Sequence, residues 1–165
     1  MRILTIDNKK NEAYLRTPVP PFDFSKEDAK ELRGLASEMR KAMLAAPGIG
    51  LSANQVGVSK RMFVAQLPRG EGRSKFYAVL NPALTKISQE VATMEEGCLS
   101  IPGVFGTVER PQKITLEGLN LFGKKIKIKA IGLLARVFQH EIDHLDGVLF
   151  IDKATNIHLV KSTKA

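Results

Sequence analysis

Cysteine occurs once in the chain, at Cys98. An intramolecular disulfide is therefore excluded, and nothing asks for an oxidising compartment. A lone cysteine is most often a small buried apolar residue. Tryptophan is absent, and no basic patch is interleaved with aromatics. Sequence-specific nucleic-acid binding is thus not expected, although the formal net charge is +8. No apolar run is long enough to cross a bilayer, and the N-terminal MRILTIDNKKNEAYLR lacks a signal-peptide pattern. The expectation is a cytoplasmic protein, or one of an organellar matrix or stroma whose presequence has been removed, with no membrane partner. Repeats and low-complexity tracts are also missing. What remains is 165 residues of ordinary composition, 44% hydrophobic and 25% charged, enough for a single domain over residues 1–165 and expected to be a monomer.

Prolines at 18, 20 and 21 predict irregular structure over residues 1–24. A helix follows. Ser25 can cap it, Glu27 and Asp28 suit its positive end, and Leu32, Leu35, Ala36, Met39 and Met43 recur on one stripe. Pro47 and Gly48 stop it. The glycine-punctuated GIGLSANQVG reads as a loop. Strands are predicted at Arg61 to Leu67 and Phe76 to Asn81, around a PRGEGRS turn. Shorter ones are predicted at Ala83 to Ile87, Gly106 to Glu109, Ile114 to Leu119 and Lys124 to Ile131. In the last of these, KKIKIK alternates lysine with isoleucine, the pattern of a half-buried strand with a wet lysine face. A second helix runs from Leu133 to about Leu145 and is closed by Gly147. The fold class is α+β: short antiparallel strands around a central helix, with the N-terminal helix on the outside.

That second helix carries QHEIDH. A helix turns about 100° per residue, so His140 and His144 project from one face, one turn apart, and two imidazoles can reach one metal ion. Glu141 sits at the edge, placed for a metal-bound water and not as a ligand; this is the HExxH arrangement. A catalytic metal usually has three protein ligands and one open position. Two candidates exist for the third, Cys98 in EEGCLSIPG and His158 in NIHLV. Spacing does not decide between them; thiolate affinity for zinc and ferrous iron favours Cys98. Leu133 and Val137 share the histidine stripe and can wall an apolar pocket. Arg136 lies near its edge, either at the pocket mouth or reaching solvent.

Together, GIGLSANQ (48–55), EGCLS (96–100) and QHEIDH (139–144) resemble, in order and separation, the three motifs of the peptide deformylase family. HLDGVLFID (144–152) and LRTP (15–18) extend the likeness over almost the whole chain. The resemblance implies a hydrolase that removes the N-formyl group from the initiator methionine of nascent peptides and releases formate. It implies metal ligands Cys98, His140 and His144, Glu141 as general acid/base, and Gln55 with the Leu99 backbone N–H facing the oxyanion. Ile49, Gly50 and Gly97 would lie along an extended peptide, and Leu133 and Val137 beside its methionine side chain. One divalent metal is implied: ferrous iron natively, with zinc, nickel or cobalt also accepted by the ligand set. The positive charge would favour proximity to the ribosome. Glu96 is a candidate to orient a metal ligand with Arg110 as its ionic partner; an ordinary surface pair is the alternative. Ser52 departs from the alanine usual in the family, and its hydroxyl needs a partner.

Two other classes share part of this pattern. A metalloprotease would use HExxH on internal peptide bonds, usually with a His or Glu third ligand. A structural metal site would be closed by a fourth protein ligand, and none is evident.

Overall fold

The computed structural model describes residues 1–68 and 72–160. Among them are three α-helices, α1 (Lys9–Leu15), α2 (Ala29–Ala45) and α3 (Leu133–Leu145). The strands are β1 (Gly50–Ser52), β2 (Met62–Pro68), β3 (Ser74–Ile87), β4 (Val91–Cys98), β5 (Ile101–Pro111), β6 (Lys113–Leu119), β7 (Lys125–Ile131) and β8 (Thr155–Leu159). They form two antiparallel sheets, ordered β1-β2-β3-β6-β7 and β4-β5-β8. No helix among the described residues is long and apolar enough to cross a membrane.

The larger sheet is buried on both faces where β2 runs through it. Its side chains alternate. Phe63, Ala65 and Leu67 pack with Val137, Phe138, Ile142 and Leu145 of α3. Met62 and Val64 pack with Leu32, Ala36, Met39 and Met43 of α2. α3 is thus the inner helix and α2 the outer one. The ring of Phe138 lies 5.3 Å from Phe63 and 5.2 Å from Tyr77, so the middle of α3 is clamped to β2 and β3 by aromatic contacts. A third cluster joins Leu15 of α1 to Ile101 and Val108 of β5 and to Leu149 and Phe150, so α1 seals the smaller sheet. Where α1 leaves, the chain passes close to Gly147: a Cβ there would run into the Arg16 carbonyl, and φ is +76°. Gly147 therefore both ends α3 and admits the neighbouring backbone.

Several expectations need correction. Residues 1–24 are not irregular throughout, because α1 lies before the prolines, with Asn8 Oδ1 accepting the Lys10 N–H at 2.8 Å. Only Leu15 of α1 is buried, so no hydrophobic period marked it. Asp28, not Ser25, caps α2, accepting from the Lys30 N–H at 2.6 Å; Ser25 belongs to a separate 3-10 turn, Phe24–Lys26, held by Asp23. GIGLSANQVG is more regular than a loop: it contains β1 and a 3-10 turn, Ala53–Val56. The two strands expected around Pro82 are one, β3, with a register shift between Leu80 and Ala83. At that bulge Asn81 has φ +47° and its side-chain amide bonds both backbone groups of Phe22. β4 and β8 were not expected. Of the predicted PRGEGRS turn, Arg69 to Glu71 lie outside the described residues, as does 161–165.

Candidate metal centre

α3 and a hairpin from the smaller sheet build the site between them. β4 and β5 are joined by a two-residue turn, Leu99-Ser100, with Cys98 paired to Ile101. That turn fixes Cys98 at a strand end facing α3. Its sulfur lies 3.1 Å from His144 Nε2. One donor atom each from Cys98, His140 and His144 lies within 4.8 Å of the others. His158 is not in this group: it sits on β8, 3.3 Å from Glu95 Oε2 and stacked on Phe105. Of the two candidates for a third donor, Cys98 is the one that lies beside both histidines.

The donor set suits a borderline-soft divalent cation: one sulfur and two imidazole nitrogens. His140 Nδ1 is taken by Glu96 Oε2 at 3.0 Å, which leaves Nε2 as its free donor. Burial alone would raise the Cys98 thiol, but His144 and His140 outweigh it and bring it down to about 5. Burial alone would lower His140, but its bonds to Cys98 and Glu96 carry it up to about 10. Binding a cation here would take the thiolate and a neutral imidazole, and so would release the imidazole proton.

Glu96 is no surface residue. It is 7% exposed, and its carboxylate is gripped by Arg110 Nε at 2.6 Å, Arg110 Nη2 at 2.9 Å and Arg136 Nη1. Burial pushes its carboxyl up, but His140 and Arg110 more than offset that and hold it far below the usual range. Arg110 also reaches Asp143 at 2.7 Å, and Asp143 holds Lys153 at 2.7 Å. Arg136 borders the cavity and does not reach out to solvent: it is 5% exposed, and its guanidinium is tied to Glu96 and to the carbonyls of Val108 and Ala92. Apart from the Glu96–Arg110 pair, this network was not anticipated from sequence, because its partners lie far apart in the chain.

Above the donors opens a cavity of about 600 Å³. Ile49, Gly50 and Gln55 line one side of it, Gly97 and Leu99 another, and Leu133 and Val137 of α3 a third. Met94, Phe105 and Pro47 also line it and were not expected there from the sequence. Glu141 reaches it from α3, only 3% exposed, with Oε2 unpartnered among the protein atoms. Burial raises its carboxyl to about 7, against the pull of His140 and His144. Gly50 makes room for it: a Cβ there would overlap the Glu141 carboxylate and meet Val137 Cγ1 at 3.0 Å. Gln55 lies beside the sulfur, with Nε2 3.5 Å from Cys98 Sγ and 3.1 Å from Ser100 Oγ. Asn54, next to it, ties the turn to α3 through the His144 carbonyl at 2.6 Å.

Three donors beneath an open cavity, with a buried carboxyl at their side, outline a single-metal hydrolase. The polypeptide deformylase family model matches residues 1–159. The chain is 44% identical over 157 residues to the peptide deformylase of Halothermothrix orenii, covering 95% of this chain and 97% of that one. It is 50% identical over 129 residues to that of Symbiobacterium thermophilum, covering 78% of this chain and 58% of that protein. The crystal structure of peptide deformylase from Thermotoga maritima superposes with a TM-score of 0.81 at 36% identity, over 93% of this chain and 97% of that one. The chain belongs to the peptide deformylase family, metal-dependent hydrolases that remove the N-formyl group from N-terminal methionine.

Proposed function

We propose that Cys98, His140 and His144 hold one divalent metal ion and that Glu141 is the general acid/base of formyl-group hydrolysis. The observation that carries this reading is the meeting of those three donors under a cavity that Glu141 also lines, its Oε2 buried and without a protein partner. When bound, the metal supplies a nucleophile at neutral pH by lowering the pKa of coordinated water to about 7. Glu141 would accept a proton from the attacking water as the water oxygen bonds to the formyl carbon, and would return that proton to the amine as the C–N bond breaks. Formate and a free N-terminus result. A carboxyl raised to about 7 is matched to both halves of this relay. The Gln55 amide and the Leu99 backbone N–H donate to the oxyanion. Glu96 keeps His140 in one orientation and one tautomer.

The peptide lies extended beside Ile49, Gly50 and Gly97, with its methionine side chain against Leu133 and Val137. Arg136 shapes this wall from behind, since its charge is already engaged. Ferrous iron is the proposed native ion; zinc, nickel and cobalt fit the same donors. The substrates are formyl-Met nascent chains met near the ribosome, in the cytoplasm or in an organellar compartment, by a monomeric single catalytic domain.

The test is metal analysis of anaerobically purified protein together with formate release from formyl-Met peptides. Glu141→Ala should retain the metal and lose roughly 100-fold or more in kcat. Normal turnover in that variant, or in metal-free protein, would overturn the assignment.

A further inference from the structure

Ser52 is fully buried, and its hydroxyl has found an unexpected partner. Gln55 Oε1 accepts two bonds from this one residue: the Ser52 backbone N–H at 2.9 Å and the Ser52 hydroxyl at 2.9 Å. The backbone N–H can only donate, so it fixes which end of the amide faces it. Oε1 then has both lone pairs filled. On the other end, Nε2 donates one hydrogen to Ser100 Oγ at 3.1 Å. Its second hydrogen remains for the side where Cys98 Sγ lies, 3.5 Å from the nitrogen. With Gln55 only 2% exposed, water cannot readily replace either anchor.

We propose that Ser52 is a positioning residue for the reaction: its hydroxyl locks the Gln55 amide so that one N–H points at the site of charge development. The proposal rests on the role given to Gln55 above. A donor in an oxyanion site acts through its placement, and small angular freedom in the amide plane weakens it. The backbone N–H sets the sense of the amide; the hydroxyl removes the rocking that a single bond permits. Such a contact matters when negative charge grows on oxygen and little while substrate merely binds.

The experiment is Ser52→Ala in the metal-loaded full chain, alone and combined with Gln55→Ala. Ser52→Ala should lower kcat roughly three- to tenfold, the scale of one neutral hydrogen bond, with KM and metal content unchanged. In the Gln55→Ala background the same change should have no effect. In the zinc-loaded protein, the Gln55 side-chain NH2 signals, identified by their loss in Gln55→Ala, should show faster hydrogen exchange in Ser52→Ala. The proposal is overturned by an unchanged kcat, by unaltered amide exchange, by an equal loss in both backgrounds, or by loss of metal. Full activity in Gln55→Ala would remove the role of Gln55 itself, and the exchange rates would still report whether Ser52 anchors the amide.

Discussion

The floor of the cavity and the outer edge of the larger sheet are both crowded with charge, and they use it in opposite ways. Beneath the cavity, Glu96, Arg110 and Arg136 are 7%, 3% and 5% exposed, and each makes several bonds. Along β7, Lys125, Lys127 and Lys129 are exposed, and the Lys127–Glu117 pair at 2.6 Å joins side chains 57% and 41% exposed. Removing one partner from the first group strands a buried charge; removing one from the second returns a side chain to water. The edge lysines also discourage pairing of β7 with another chain. Burial, and not the number of ion pairs, decides where charge specifies structure.

The strongest way to break the buried group is Glu96→Ala. It leaves Arg136 with only the Val108 and Ala92 carbonyls and Arg110 with Asp143 alone, and frees His140 Nδ1 in a closed interior. A stability loss of about 3–5 kcal/mol in urea denaturation is expected. Metal affinity should fall about 10- to 100-fold in a competition titration. Lys127→Ala, its counterpart on the edge, should cost no more than about 0.5 kcal/mol. Comparable losses in the two variants would end the contrast drawn above.

Next in size is Gly50→Ala, which probes space where Glu96→Ala probes charge. The added methyl meets Glu141 and Val137 of α3, and none of the atoms nearest to it belongs to Cys98, His140 or His144. Metal content should hold while kcat falls about 10- to 100-fold, as expected when a reacting group is displaced by a fraction of its contact distance. Unimpaired turnover would show that the Glu141 carboxylate has room elsewhere.

The same contrast explains what could be read from sequence. Strict alternation in KKIKIK and the 3.6-residue stripes of α2 and α3 are local patterns, and the corresponding elements appear with ends shifted by no more than three residues. HExxH is local too, so the pairing of His140 with His144 was legible. Cys98 was favoured on ligand chemistry, but its approach depends on the Leu99-Ser100 hairpin and on β4, a strand unseen because its residues alternate poorly and one of its acids is buried. Placing Cys98 beside the two histidines therefore needed the family resemblance or the structure. Arg136 and Glu96 are 40 residues apart, and no spacing rule joins them. β8 is wholly exposed, so it carried no hydrophobic period either. Ser52 posed a visible question, a buried hydroxyl in want of a partner, and only the fold around Gln55 supplies the answer.

Between the two regimes stands the Arg16–Asp152 pair, which ties the loop after α1 to the 3-10 turn Phe150–Asp152 that follows α3. Its bonds are 2.9 and 3.2 Å, with side chains 37% and 36% exposed. The bond from Arg16 holds the Asp152 carboxyl below its ordinary range against a smaller opposing effect of burial, and the Leu149 N–H assists. A carboxylate lowered in the folded state stabilises the fold above its unfolded pKa, near 3.9, and that contribution disappears as pH falls through the folded value. Asp152→Asn keeps an acceptor for Leu149 and removes the charge. The variant should be less stable than the parent by about 0.5 kcal/mol near neutral pH, a figure already reduced for solvent screening. Followed by thermal unfolding from pH 6 downward, the gap should be constant at first and close below about pH 4. A gap that persists into acid would mean that the lost interaction was packing around Arg16 and not its charge.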